Sequence, residues 1–362
     1  LNGGEAMKKL RVGVIGVGGI GFGAHLSGYE KLADKVEIVA VCDIDEAKLE
    51  RASKRYGVSE TFTDYREMLK MKELDAVNVC TPNYLHHPIS IAALEAGKHV
   101  LCEKPLALNA EQGEEMVAAA KKAGKLFMIG VNNRYRDESQ KLKRMIERGE
   151  LGEVYAARTG WIRRRGVPFW GDWFMEKAKA GGGPLIDIGV HMLDLTRWLI
   201  GNPKPVSVTG AIYHKIGNYL VTEWDKNDPV LAGALASGAA DKIYDVEDSA
   251  FAFIRFEGGI TLELNVSWAL NTNKEHNYCE LYGDKAGASL SPLTVFGEKE
   301  GTLVDYTFKT DEATTHHTEI AHFVDCILNG TELISPAEEA VDVMRILDAI
   351  YKSAELGEEV RL

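Results

Sequence analysis

The chain has 362 residues, 45% hydrophobic and 27% charged, which is enough for two domains with sizeable cores. A net charge of −12 and a pI near 5.4 argue against a nucleic-acid partner through phosphate repulsion, and no apolar run reaches the ~20 residues of a membrane span. Five cysteines, odd in number and without a CxxC pair, suggest neither a disulfide framework nor a zinc site and read as small buried apolar residues, so no metal is expected.

The opening "LNGGEA", residues 1–6, reads as an expression remnant before Met7, and no signal-like segment follows, so a cytoplasmic location is expected. Lys9 to Ile15, "KLRVGVI", has the pattern of a short buried strand. It runs directly into "GVGGIG", in which Gly16, Gly18 and Gly21 match G-x-G-x-x-G with Gly19 and Ile20 between them. A second strand, "VEIVAVCD", ends in Asp43 about 20 residues further on, the context that makes this pattern a dinucleotide fingerprint. Gly16 permits the tight turn, Gly18 lets the backbone approach a pyrophosphate, and Gly21 brings helix and strand together. Asp43 is expected to accept from ribose hydroxyls and repel a 2′-phosphate, which favours NAD over NADP; Asp45 is the better-placed cap for the next helix.

Helices around Tyr65–Met71, Pro88–Ala96 and Ala110–Ala123 alternate with strands Ala76–Cys80, His99–Cys102 and Leu126–Ile129, predicting a parallel, doubly wound Rossmann sheet over residues 7–131. Two polar segments occupy the carboxyl ends of its strands, where ligands of such sheets bind: "TPNYLHH", with Thr81, Pro82, Asn83 and His86, and "CEKPL", with Glu103 and Lys104. Lys104 follows a buried strand directly and is expected to face the nicotinamide crevice. His86 and His87 either border the crevice or serve the following helix and loop.

From residue 132 the pattern changes to longer strand-like runs, "GEVYAARTGWIR", "SAFAFIRFEGG", "GITLELNVSWAL" and "NYCELYGDKAG". Residues 132–362 are therefore expected to form an α+β substrate-binding and oligomerisation domain with an open, mostly antiparallel sheet. Asn132, Arg134 and Tyr135 border the crevice in this reading. Within Trp161–Gly183, Trp161, Trp170 and Trp173 are suited to stacking on a sugar ring, Asp172 and Lys177 to reading hydroxyls, and Arg163 with its two arginine neighbours to binding an acid group; the alternative is packing against a neighbouring subunit. The segment His214–Asp245 looks like an insertion with no assigned role.

The stretch "GGGPLIDIGVHMLDLTRWL", Gly181–Leu199, reads as a helix that is apolar on most of its circumference. At about 100° per residue, Asp187, His191, Asp194 and Trp198 fall on one strip, which must point into something enclosed. Asp194 either orients His191 from behind or caps a buried polar cluster.

With "GVIGVGGIG", "TPNYLHH", "CEKPLA", this helix and the closing "HHTEIAHFVDCILNG" and "AEEAVDVMRILDAIYKSAELGEEVRL", the chain resembles the glucose-fructose oxidoreductase and inositol dehydrogenase (Gfo/Idh/MocA) family from Met7 almost to the C-terminus. The resemblance implies NAD as cofactor, a catalytic group of Lys104, Asp187 and His191, and a homodimer or homotetramer formed through the second sheet. The implied reaction is hydride transfer between nicotinamide and a ring hydroxyl of a sugar, sugar acid, glycoside or cyclitol. It fits the residues: a neutral imidazole can take the hydroxyl proton while a lysine steadies the developing alkoxide. Two other activities occur on similar chains: an NAD-dependent glycosidase working by transient oxidation and elimination, and a dinucleotide-binding sensor without turnover.

Overall fold

The structure is a computed structural model that describes residues 9–168, 173–216, 244–311 and 315–362. Trp170, Asp172 and most of the His214–Asp245 segment lie outside the described residues.

Six strands form the first sheet: β1 Leu10–Ile15, β2 Val36–Cys42, β3 Glu60–Phe62, β4 Ala76–Val79, β5 His99–Glu103 and β6 Phe127–Gly130. All run parallel in the order β3-β2-β1-β4-β5-β6, so the chain reverses direction across the sheet between β1 and β4, where such sheets open a ligand crevice. Local chemistry punctuates the connecting helices. Asp45 caps Glu46–Tyr56 by accepting from the Ala47 and Lys48 amides, Asn109 caps Ala110–Ala123, and Gly57 and Gly124 end these helices in the left-handed region.

Nine strands form the second sheet, adding β7 Val154–Ile162, β8 Pro205–Tyr213, β9 Ser249–Phe256, β10 Thr261–Ser267, β11 His276–Gly283, β12 Gly287–Ser289, β13 Thr294–Lys299, β14 Thr302–Thr307 and β15 Val360–Arg361. Their order is β14-β13-β12-β11-β7-β10-β9-β8-β15, antiparallel throughout except for β7 beside β10. The strands alternate: in β9, Ala250, Ala252 and Ile254 are buried, whereas Phe253 and Arg255 are exposed. One face is covered by helices Ala337–Leu356 and Val190–Leu199. Close approach is possible because β8 carries Gly210, where a Cβ would stand 2.8 Å from the Ile350 side chain.

Two features depart from the sequence reading. The helix Thr315–Asn329 leaves the second sheet and returns to the first domain, where Ile320, Phe323 and Val324 join Val12, Val14 and Leu26 in one core. The helix expected as uniform over Gly181–Leu199 opens instead with a π turn, Leu185–Gly189, before the α-helical Val190–Leu199. The wider turn changes the angular spacing, so residues spaced for one strip of an ideal α-helix do not share one environment.

Candidate active site

The dinucleotide loop has room where a ligand needs it. Gly16 sits at φ 89°, and a Cβ there would be 2.6 Å from the Cys80 carbonyl oxygen. A Cβ on Gly21 would collide with the Gly16 carbonyl oxygen, whereas Gly18 and Gly19 have open space around them. Asp43 accepts from the Val17 amide at 2.9 Å and from the Asp45 amide at 3.0 Å, fixing its carboxylate beside the loop. A carboxylate has about four acceptor positions, so two remain for ribose hydroxyls. At the end of β4 the Thr81 hydroxyl is buried without a partner among the described residues. Open glycines, a carboxylate at Asp43 and an unsatisfied donor fit a dinucleotide.

Lys104 and the π turn meet across the crevice. Lys104 Nζ donates to Asp187 Oδ1 and to the Asp187 carbonyl oxygen, both at 3.0 Å. Asp187 Oδ2 accepts from Trp268 Nε1 at 3.0 Å. Burial pushes the Asp187 carboxyl up, but the charge and hydrogen bond of Lys104 and the Trp268 indole outweigh it and leave it below the usual aspartate value. One turn on, His191 packs against Trp161, with ring centroids 6.5 Å apart, and its Nδ1 is buried without a partner among the described residues. Burial, reinforced by the Lys104 charge, pushes His191 down to about 3, so its ring is neutral at pH 7. Lys104, Asp187 and His191 all retain some exposure to the crevice.

The turn that carries Asp187 is held from outside its own sequence. Glu247, fully buried, accepts from the Gly183 and Leu185 amides, each at 3.0 Å, and from the Tyr351 hydroxyl at 2.9 Å. It satisfies amides at the start of the helix that no local residue caps.

Several residues expected to touch ligand are committed elsewhere. Arg134 is 1% exposed: Nε and Nη2 grip both oxygens of Asp194, and Nη1 reaches Glu339 and the Ile334 carbonyl oxygen. Four of its five donors are used in the core, and Asp194 takes the second of its two roles, inside a buried ionic cluster. Tyr135 is 3% exposed with its hydroxyl against Ser335. Asn132 turns its amide to Thr315 and His316. His86 is buried between the Thr81 and Pro105 carbonyl oxygens and ties the two strand-end loops together, and His87 pairs with Glu115. Asn83 donates to the Ala180 carbonyl oxygen at 2.8 Å, joining the first domain to the short helix Lys177–Ala180, and Glu103 turns inward to His25. Arg134, Tyr135 and Asn132 were read as bordering the crevice because they follow a strand, and side chains from distant segments meet them there; His86 and His87 take the alternative of serving the adjoining helix and loops.

In the Trp161–Gly183 segment, Trp161 borders His191 and lies under the Arg163 guanidinium. Trp173 packs edge-on against Phe174, which stacks on Trp268. Lys177 is exposed, its ammonium 5.3 Å from the centre of the Tyr351 ring. Trp268, Glu247 and His25 carry no motif and were not anticipated, and His316 was quoted within "HHTEIAHFVDCILNG" without a role.

Known proteins share this fold. Residues 10–131 match the oxidoreductase family, NAD-binding Rossmann fold, and residues 143–362 match the same family's C-terminal alpha/beta domain. The chain belongs to the Gfo/Idh/MocA oxidoreductase family. It is 35% identical over 364 residues to the D-glucoside 3-dehydrogenase of Escherichia coli (strain K12), covering 98% of this chain and 97% of that protein. Among solved structures, the aldose-aldose oxidoreductase from Caulobacter crescentus complexed with glycerol superposes with a TM-score of 0.78 at 26% identity, covering 98% of this chain and 100% of that one. GenD2 from gentamicin A biosynthesis, in complex with NAD, gives 0.77 at 26% identity, covering 100% and 99%. The N-terminal domain is thus an NAD-binding Rossmann domain of an oxidoreductase, as the resemblance implied.

Proposed function

We propose that the protein oxidises a secondary ring hydroxyl of a sugar or glycoside, with NAD as the oxidant. The observation that carries the reading is the Nδ1 of His191, buried without a partner among the described residues beside the Lys104–Asp187 pair, because such an atom calls for a functional explanation. Bound NAD supplies the acceptor for the carbinol hydrogen. His191, neutral at pH 7, takes the hydroxyl proton. The Lys104 ammonium steadies the oxygen as negative charge develops on it. Asp187, anchored by Trp268, holds that ammonium in place. Trp161 offers a ring face next to His191, where a pyranose can stack. The D-glucoside 3-dehydrogenase relative supports a glycoside over a simple alcohol.

Mixing the protein with NAD and a panel of glycosides, free sugars, sugar acids, cyclitols and cyclohexanol tests this. Net NADH should form with ring polyols and not with cyclohexanol, and the product should be a keto sugar. Unchanged cofactor together with a cleaved glycoside would mean that the elimination reaction operates instead. The Asp43 reading adds a preference for NAD over NADP that Asp43→Ser should narrow.

We also infer association of two copies through the open face of the second sheet, where Tyr155 and Phe253 stand 56% and 40% exposed among Arg158, Arg255 and Glu263. Phe253→Asp should lower the molecular mass seen by sedimentation.

A further inference from the structure

Behind Lys104 lies a line of buried polar side chains that the reaction as described does not use. Glu103 ends β5 and is 7% exposed. Its Oε1 accepts from His25 Nε2 at 2.8 Å, and its Oε2 accepts from the Lys104 amide at 3.2 Å. The Tyr29 hydroxyl donates to Asn78 Oδ1 at 2.5 Å, which turns the Asn78 amide nitrogen toward His25 Nδ1, also at 2.5 Å. An amide nitrogen can only donate, so Nδ1 accepts, and the one proton of the neutral ring sits on Nε2 facing Glu103. His25 is 0% exposed and hands Glu103 a hydrogen bond without cancelling its charge.

The ionisation of the surrounding acids follows. Burial pushes the Glu103 carboxyl up, but the hydrogen bond from His25 and the charge of Lys104 hold it below the usual range. Glu319, on the helix Thr315–Asn329, is fully buried with neither carboxyl oxygen partnered among the described residues; burial, and then the charge of Glu103, push it far up, so it stays protonated. Among the described residues in contact with Lys104, this leaves two anions, Asp187 and, buried behind the crevice wall, Glu103, against the one ammonium, with His191 neutral beside them. The charge of Glu103 acts on both His191 and His316.

The oxidised nicotinamide ring is cationic and the reduced ring is neutral. We propose that Glu103, held as a buried anion by the Nε2–H tautomer of His25, makes this crevice prefer the oxidised cofactor over the reduced one and so biases the enzyme toward substrate oxidation. The inference rests on the reading above that the crevice beside Lys104 takes the nicotinamide. Glu103 acts through the field in the crevice and not by touching the reacting carbon.

Equilibrium binding of NAD+ and NADH, measured separately by calorimetry without any sugar, tests it. In Glu103→Gln, which keeps the shape and loses the charge, the ratio of the NAD+ to the NADH dissociation constant should rise about tenfold, as expected for one charge on the order of 10 Å away at an effective dielectric constant near 20. NADH affinity should stay within about threefold. His25→Leu, which leaves Glu103 to take up a proton, should raise the ratio similarly. His25→Gln, whose amide can still donate to Glu103, should restore it. If His25→Leu does not fold, Glu103→Gln decides. Equal weakening of both cofactor forms, or no change in either, overturns the proposal and leaves the pair a structural brace. NADH formation from glycosides with an unmoved ratio refutes this inference alone; a shifted ratio without turnover of any ring polyol refutes the assigned reaction alone.

Discussion

Asp187 and Asp194 lie on successive parts of one helical segment and each pairs with a cation, yet the two pairs serve opposite ends. Arg134 and Asp194 are 1% and 2% exposed and joined by two parallel hydrogen bonds, with both Nη1 donors spent on Glu339 and a carbonyl oxygen. Lys104 and Asp187 are 19% and 14% exposed and share one hydrogen bond between their charged groups. Arginine's planar fork suits a closed, fully satisfied core pair. The lysine ammonium has three donors on a flexible stem, two of them used here, which leaves one for a ligand. A charge pair sealed in the core is thus architecture, whereas one at the crevice wall keeps a donor that a ligand can reach.

The largest expected effect lies on the closed side. Arg134→Ala leaves Asp194 charged and unpaired in the core, and urea unfolding should show a loss of about 3–5 kcal/mol, while the folded fraction keeps a near-normal kcat. A loss below about 1 kcal/mol would mean that the cluster tolerates an opening and that the contrast is overdrawn.

On the open side the balance reverses. Lys104→Ala and His191→Ala should each lower kcat by at least ~100-fold with NAD binding retained and Tm within a few degrees of the parent. Steady-state kinetics alongside thermal melts separate these two readouts. Near-normal turnover in both variants would make the open pair as structural as the closed one.

Trp268→Phe sharpens the comparison by removing one donor to Asp187 while keeping most of the ring that stacks on Phe174. A drop in kcat of about tenfold is expected, since a hydrogen bond to a charged group is lost, with little change in cofactor affinity. An equal fall in NAD affinity would show that the indole shapes the cofactor site as well.

The smallest effect is the acid sensitivity of the open side. His191 is held at about 3 in the folded protein against an ordinary 6.5, so between those values the unfolded chain binds the extra proton. Stability should therefore fall as pH drops from 6.5 toward 3, and His191→Gln should make the decline of Tm between pH 7 and pH 4 shallower. Parallel Tm profiles for the two proteins would mean that the crevice admits a proton at no cost to folding.

Much of the first domain was legible because its signals are local. Strand, glycine loop, helix and Asp43 follow one another within a few turns of chain, and the caps at Asp45 and Asn109 act on amides two or three residues away. Lys104 was legible for the same reason, as a cation directly after a buried strand. Asp187 and His191 were legible as polar residues on an otherwise apolar helix, although the strip that seemed to unite them with Asp194 assumed an even turn. No residue pattern announces a π turn.

What local pattern left open was the partner of each polar group. Lys104 meets Asp187 across 83 residues, Trp268 reaches Asp187 across 81, His25 meets Glu103 across 78 and Arg134 meets Asp194 across 60. Helical and strand periodicity report which side of an element is buried, and their reach ends with the element. Whether a buried carboxylate finds an indole, an imidazole or a guanidinium depends on which segments the folded backbone brings within about 3 Å, because a hydrogen bond weakens steeply beyond that distance.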